Sequence, residues 1–240
     1  MNNYGAKRLF VSEMFYTFAH EKDFSTLKYS TLIFDLDGTL TDSGLGILRC
    51  AQYALAHFGI DVEDLSELRP FVGPPLEDSF IDFYGFTPEQ ADEAVRIYRE
   101  RYFTTGVYEN EVYPGTVEAL QELQHRGYRM GIGSSKNVPM VIEVLRYFNL
   151  APYFEFIAAR DPEGLLHSKA DVLQHAIEHF HLDPASTLMI GDRYHDIEGA
   201  HAVHLPAAGI LWGGYGTREE MEQYQAEYIL DTWQDLLDLL

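Results

Sequence analysis

Cysteine is almost missing from this 240-residue chain, with Cys50 the single example. No intramolecular disulfide can form, and a reducing, cytoplasmic setting is the expectation. Lysine is scarce too, at positions 7, 22, 28, 136 and 169 only. Lys and Arg total 17 against 38 Asp and Glu, a formal net charge of −21. Such a balance argues against nucleic acid as a partner, because binding a phosphate backbone needs clustered cations. No run of 18 apolar residues occurs, so no helical membrane span is expected. The first residues lack the charged, apolar and small-residue succession of a secretory signal. Internal repeats and low-complexity tracts are absent as well.

What remains is ordinary globular material, 46% hydrophobic and 23% charged, long enough for a full core and one or two domains. From residue 31 onward, apolar runs of strand type (31–35, 128–133, 154–159, 187–191 and 207–211) alternate with helical patterns (117–125, 138–149 and 170–181). That alternation implies an α/β fold with a doubly wound parallel sheet of Rossmann-like type, whose ligands bind at the carboxyl ends of the strands. Between Thr41 and Tyr113 the rhythm breaks. Helical stretches at 46–58, 76–84 and 88–103 are separated by turn signals such as Arg69-Pro70 and Gly73-Pro74-Pro75. A structureless loop that long is improbable, so residues 45–112 are read as a small all-helical domain inserted into a core of 29–44 and 113–240. Residues 1–28 read as an extension of unknown role, where Leu9-Phe10-Val11, Met14-Phe15 and Phe18 fit one face of a short amphipathic helix and the stretch equally fits a mobile extension or a start-site artefact.

The stretch Thr31-Leu32-Ile33-Phe34-Asp35-Leu36-Asp37-Gly38-Thr39 ends an apolar strand in two carboxylates two residues apart. Positions i and i+2 share a face of a strand, so the pair is able to converge at its end. Two carboxylates that close repel each other unless a cation or a shared proton lies between them. The pattern suits a metal site with one nucleophilic and one acid/base aspartate. It is also compatible with a plain Asp-Gly turn.

Later strand ends decide between the two. The second strand ends in Gly133-Ser134-Ser135-Lys136, where Ser134 and Ser135 supply either a phosphate cradle or a helix N-cap. Lys169 follows the third strand and is able to offset clustered carboxylates and bind a phosphate. The fourth ends in Gly191-Asp192-Arg193-Tyr194-His195-Asp196. Asp192 fits an oxygen-ligand Mg²⁺ site, and Asp196 fits an orienting role behind it or a favourable place at a helix N-terminus.

This order (D-x-D-G-T, a strand-end Ser, Lys, then G-D-x-x-x-D) resembles the haloacid dehalogenase superfamily, over about residues 31–240. The resemblance implies Asp35 as the nucleophile that forms an aspartyl-phosphate and Asp37 as the acid/base, with its backbone carbonyl also on Mg²⁺. It implies Ser134, Ser135 and Lys169 as phosphate ligands and Asp192 as a metal ligand with Asp35. A helical cap between the first and second motifs is the superfamily's subgroup I arrangement. Asp42-Ser43-Gly44-Leu45-Gly46-Ile47, Val72-Gly73-Pro74-Pro75-Leu76, Tyr113-Pro114-Gly115 and Gly191–Ile197 are similar to the phosphoglycolate-phosphatase-like branch, which has 5′-nucleotidase-like members. Ser134-Ser135-Lys136 departs from the Thr-Asn-Lys of many relatives but keeps the hydroxyl.

The implied function is Mg²⁺-dependent hydrolysis of a small-molecule phosphate ester by a cytoplasmic enzyme, with monomer and homodimer both open. A 5′-nucleotidase-type phosphatase and a sugar-phosphate mutase are the alternatives. A non-catalytic binder of phosphometabolites is disfavoured by the intact acid/base and metal positions. A Schiff-base phosphonatase is disfavoured because residues 45–112 hold no lysine, and a dehalogenase needs no aspartate at 37. Substrate choice falls to the inserted domain, where Arg49, Gly73 and Arg99 are the candidate contacts; an arginine there would suit a substrate carboxylate.

Overall fold

The computed structural model describes residues 28–161 and 165–240, so the expectation of a helix over residues 9–18 lies outside it. Strand β1 (Thr31–Phe34) is buried at every position, which explains its unbroken apolar run. It lies at the centre of a six-stranded sheet with β4 (Arg129–Asn137), β5 (Phe156–Arg160), β6 (Thr187–Gly191), β7 (Ala207–Ile210) and β8 (Tyr228–Leu230). The order is β5-β4-β1-β6-β7-β8, parallel throughout.

Alternation along β1 divides the core between two layers. Leu32 and Phe34 join a cluster with α4 (Thr116–Arg126), α5 (Val138–Tyr147) and α9 (Trp233–Leu239) through Leu120, Leu123, Val141, Val144 and Leu236. Ile33 joins the opposite cluster, with Leu173 and Ala176 of α6 (Lys169–His179) and Ile197 and Ala200 of α7 (Tyr194–Ala202). Helices therefore cover both faces. The chain leaves β1 toward β4 and β5 on one side and reaches β6 to β8 on the other, so the strand order reverses beside β1. The crevice beyond the strand carboxyl ends at that reversal is where such sheets bind ligands.

Directly after β1 the chain makes a tight turn and enters β2 (Thr41–Asp42), which pairs antiparallel with β3 (Glu111–Val112). Everything between them is helical: α1 (Gly44–His57), a 3₁₀ helix (Leu65–Phe71), α2 (Leu76–Tyr84), α3 (Pro88–Thr104) and a short 3₁₀ turn. Thr87 and Gln90 close a capping box at the start of α3, with Pro88 at the first helical position. Phe71 and Phe80 are buried with rings 5.0 Å apart, and Phe80 stacks on Phe86 at 5.7 Å. These aromatics fill the insert's own core. Tyr53 and Phe83 are about half exposed.

The last strand, β8, is three residues long, lies at the sheet edge and falls outside the strand-type runs read from the sequence. A second difference concerns β4. It runs on to Asn137 with a register shift between Ser134 and Asn137, so α5 starts four residues beyond Ser134. Ser134 is therefore not a helix N-cap. Its backbone belongs to the sheet.

Candidate active site

Asp35 follows β1 directly and its N–H donates to the Ile190 carbonyl at 2.9 Å, which fixes it at the carboxyl end of the central strand. Gly191 ends β6, the neighbour of β1, and delivers Asp192 next to it. Lys169 is the first residue of α6, seated by the Ser168–Asp171 capping box. Its Nζ lies 3.1 Å from Asp35 Oδ1 and 2.7 Å from Asp196 Oδ1, and donates to the Gly133 carbonyl at 2.9 Å. Asp196 does two jobs. One oxygen meets Lys169, while the other accepts the Arg193 N–H at the start of α7 at 3.1 Å.

Asp35, Asp192 and Asp196 each bring an oxygen to within 4.8 Å of the others, and all three are buried. Asp192 Oδ1 accepts from Thr39 Oγ1 at 3.0 Å, while its Oδ2 is buried with no hydrogen-bond partner. Burial, then the Asp196 and Asp35 charges, push the Asp192 carboxyl well above the usual carboxylate range. Burial likewise raises Asp35 to about 6 against the pull of Lys169. Lys169 responds in the opposite sense: burial disfavours its charge, yet Asp196 and Asp35 hold its ammonium above the ordinary lysine value. Three clustered carboxylates, two of them paired with one ammonium and the third with an orphaned buried oxygen, form the all-oxygen donor set that a hard divalent cation takes.

Gly38 makes this crowding possible. Its φ is +84°, and a Cβ there would stand 2.2 Å from Asp192 Oδ2. The loop after β7 braces the same turn. Trp212 Nε1 donates to the Thr39 carbonyl at 2.9 Å, and Gly213 passes so close that a Cβ would lie 1.9 Å from the Gly38 carbonyl.

Asp37 points elsewhere. Its two oxygens are held by Lys136 Nζ at 2.9 and 2.7 Å, and that ammonium lies 4.7 Å from the Tyr102 ring centroid on α3. Burial works against the charge on Lys136, but Asp37 and Tyr102 overcome it and hold its ammonium above the usual lysine range. Ser134 is 2% exposed, and its Oγ accepts the Lys136 N–H at 3.3 Å. Ser135 lines a cavity of about 60 Å³ between strand ends and helical insert, together with Asp37, Gly73, Arg99, Lys136 and Arg160.

Sequence reasoning missed three members of this region. Lys136 was passed over because most lysines are solvated. Arg160 ends β5 and reaches Glu77 of α2 at 2.9 Å, with Arg99 of α3 on the same carboxylate at 3.4 Å. Arg193 joins the core to the insert, donating to the Val72 carbonyl at 3.0 Å and pairing with Glu220 at 3.1 Å. Arg49 does not line this cavity. Its guanidinium is committed to Glu109 at 2.7 Å and borders a separate surface depression with Tyr53 and Arg101, away from the cavity.

A family model described as haloacid dehalogenase-like hydrolase matches residues 32–210. A 5′-nucleotidase of Pseudomonas aeruginosa is 39% identical over 201 residues, covering 84% of this chain and 90% of that protein. A crystal structure of a predicted phosphatase from Clostridium acetobutylicum superposes with a TM-score of 0.85 at 39% identity, over 88% of this chain and 97% of that one. The chain belongs to the haloacid dehalogenase-like hydrolase family, and within it to the phosphatases. Another relative, tyrosine-protein kinase PtkA of Mycobacterium tuberculosis, is 36% identical over 192 residues, 80% of this chain and 65% of that protein. Family membership therefore does not by itself name the phosphoryl acceptor.

Proposed function

We propose that the protein is a Mg²⁺-dependent phosphate monoester hydrolase that acts on a small phosphometabolite through a phosphoryl group carried on Asp35. The observation that carries this reading is the buried set Asp35, Asp192 and Lys169 with the orphaned Asp192 Oδ2. Asp35 and Asp192, with the Asp37 backbone carbonyl, would hold the cation, and Asp196 would orient Lys169. Bound there, Mg²⁺ would offset the charge between Asp35 and an incoming phosphate.

The chain's own residues supply the rest. Lys169 and the Ser134 hydroxyl, with Ser135 beside it, hold the phosphoryl oxygens in line with Asp35. An Asp35 oxygen attacks phosphorus as the ester P–O bond breaks, and Asp37 gives its proton to the departing alkoxide. Asp37 then takes a proton from water as that water attacks phosphorus, freeing inorganic phosphate and restoring the Asp35 carboxylate. Lys136 grips both Asp37 oxygens, so this proton traffic requires the Lys136–Asp37 pair to open. Residues 45–112 act as a cap over the strand ends. The cavity of about 60 Å³ is far below the ~300 Å³ at which ligand pockets begin, and on this reading substrate entry requires the cap to move.

The substrate class is a phosphoglycolate-like phosphate ester. A nucleoside monophosphate is the second reading, favoured by the Pseudomonas relative. The test is phosphate release from phosphoglycolate, nucleoside monophosphates, sugar phosphates and an aryl phosphate, with Mg²⁺ and with chelator. Release that stops on chelation and in Asp35→Asn supports the reading. Substantial turnover by Asp35→Asn, or isomerisation of a phosphosugar without phosphate release, overturns it.

A further inference from the structure

The cavity holds a second set of charges that the hydrolytic chemistry leaves unused. Arg160 comes from the core at the end of β5, Arg99 from α3 of the insert, and both grip the Glu77 carboxylate on α2. Arg160 and Glu77 are mostly shielded, with side chains 15% and 27% exposed. Arg160 and then Arg99 hold the Glu77 carboxyl below its usual range even though burial opposes this. Register puts Arg160 opposite Asn137, one strand spacing (about 4.8 Å) from the Ser134–Asn137 segment of β4. All three residues line the cavity that Asp37 and Lys136 also line. Asp37 stands on the leaving-group side of the proposed reaction, so the arginines face the part of a substrate that departs.

We propose that Arg160 and Arg99 form a split clamp for an anionic group on the leaving portion of the substrate, a carboxylate or a second phosphoryl, with Glu77 occupying the clamp until substrate displaces it. The inference rests on the phosphatase reading above and adds the substrate class to it. One arginine belongs to the core and one to the insert, so a bound anion also ties the insert to the strand ends. Planar guanidinium forks match carboxylate and phosphoryl oxygens in pairs, which a neutral alcohol cannot exploit. Displacing Glu77 exchanges one anion for another, so the clamp's charge is nearly conserved. A neutral leaving group would leave Glu77 in place and gain nothing from the clamp.

The test compares kcat/KM for three probes in Mg²⁺: 2-phosphoglycolate (carboxylate), inorganic pyrophosphate (phosphoryl) and p-nitrophenyl phosphate (no second anion). In the wild type at least one of the first two exceeds the aryl ester, and which one does so names the anion. Arg160→Met lowers that preference about ten- to a hundred-fold, the worth of a charge-assisted hydrogen-bond pair. Arg160→Lys, which keeps the charge and loses the fork, falls between. Glu77→Gln raises the preference by releasing the clamp. Equal losses on all three probes in Arg160→Met and Arg160→Lys, or no rise in Glu77→Gln, overturn the clamp while phosphate release continues. Failure to release phosphate from any probe by the wild type overturns the underlying phosphatase reading instead.

Discussion

Replacing Asp35 by asparagine should stabilise the metal-free protein even as it removes the proposed nucleophile. Asp35 is 7% exposed, and its carboxyl is raised from 3.8 to about 6, by burial first, with the Asp196 and Asp37 charges adding to it. A shift of about two units is worth roughly 3 kcal/mol at 1.36 kcal/mol per unit. The sign follows from linkage. A carboxyl with a folded value above its unfolded one binds its proton more tightly when folded, so its full contribution is present below about 3.8 and is lost as pH rises through about 6. Asparagine has no proton to lose. The stability advantage of Asp35→Asn over wild type should therefore widen from about 1–2 kcal/mol near pH 5 to about 3 kcal/mol near pH 7.5. At about 2–4 °C per kcal/mol for a chain of this size, the upper figure is about 6–12 °C in Tm. Urea unfolding with chelator across that pH range is the measurement, and the wild-type difference cancels the titrating groups that do not face Asp35. A flat or narrowing difference would refute the argument that Asp35 is held at an electrostatic cost. Saturating Mg²⁺ should reverse the ranking, because the wild type gains the binding free energy and the variant largely does not.

Gly38→Ala should lower Tm by several degrees, since a left-handed φ costs a non-glycine residue about 1–2 kcal/mol and the new Cβ meets Asp192 Oδ2. The same variant should bind Mg²⁺ more weakly by titration calorimetry; unchanged affinity would mean that Asp192 is not a ligand. Cys50 is fully buried, and burial raises its thiol to about 11 against the Arg101 hydrogen bond, so almost no thiolate exists at neutral pH. Ellman's reagent should label it only as fast as the protein opens or unfolds, and rapid stoichiometric labelling of native protein would contradict that burial.

How much of this was readable in advance depended on how local the cause was. Strands β1, β6 and β7 announce themselves as short continuous apolar runs, and the alternation of runs with helical patterns is enough for a doubly wound sheet. β8 escaped because three half-buried residues at an edge carry little pattern. β2 and β3 escaped because two residues apiece carry none, although their pairing brings together the two ends of the insert. Strand-end logic brought Asp35, Lys169 and Asp192 to one place because each follows its strand or begins its helix within a few residues. It could not reach the Lys136–Asp37 pair, 99 positions apart, or the Arg160–Glu77 pair, 83 apart. Those contacts depend on β4 running past Ser134 and on how the insert settles over the core, and neither is written in any local window. Arg49 shows the same limit. Its place on the first helix of the insert was legible, but which neighbour its helix face would meet was not.

The scarcity of lysine acquires a meaning once the site is assembled. Of the three lysines among the described residues, two are in the crevice, with side chains 6% and 4% exposed. Lys136 answers Asp37, and Lys169 answers Asp35 and Asp196, while Asp192 has only the Thr39 hydroxyl. With all four carboxylates ionised, two ammonium groups leave an excess of two negative charges, the amount one divalent cation would cancel. In a chain of net charge −21, a phosphate dianion meets repulsion from the surface inward. Binding that anion is then conditional on the cation, and coupling of this kind is reciprocal, so phosphate must strengthen cation binding by the same factor. On the proposed reading the acidic bulk of the chain and its few buried lysines act together: two ammonium groups leave the site two charges short of neutral, and a bound divalent cation would make up that difference before the substrate is admitted.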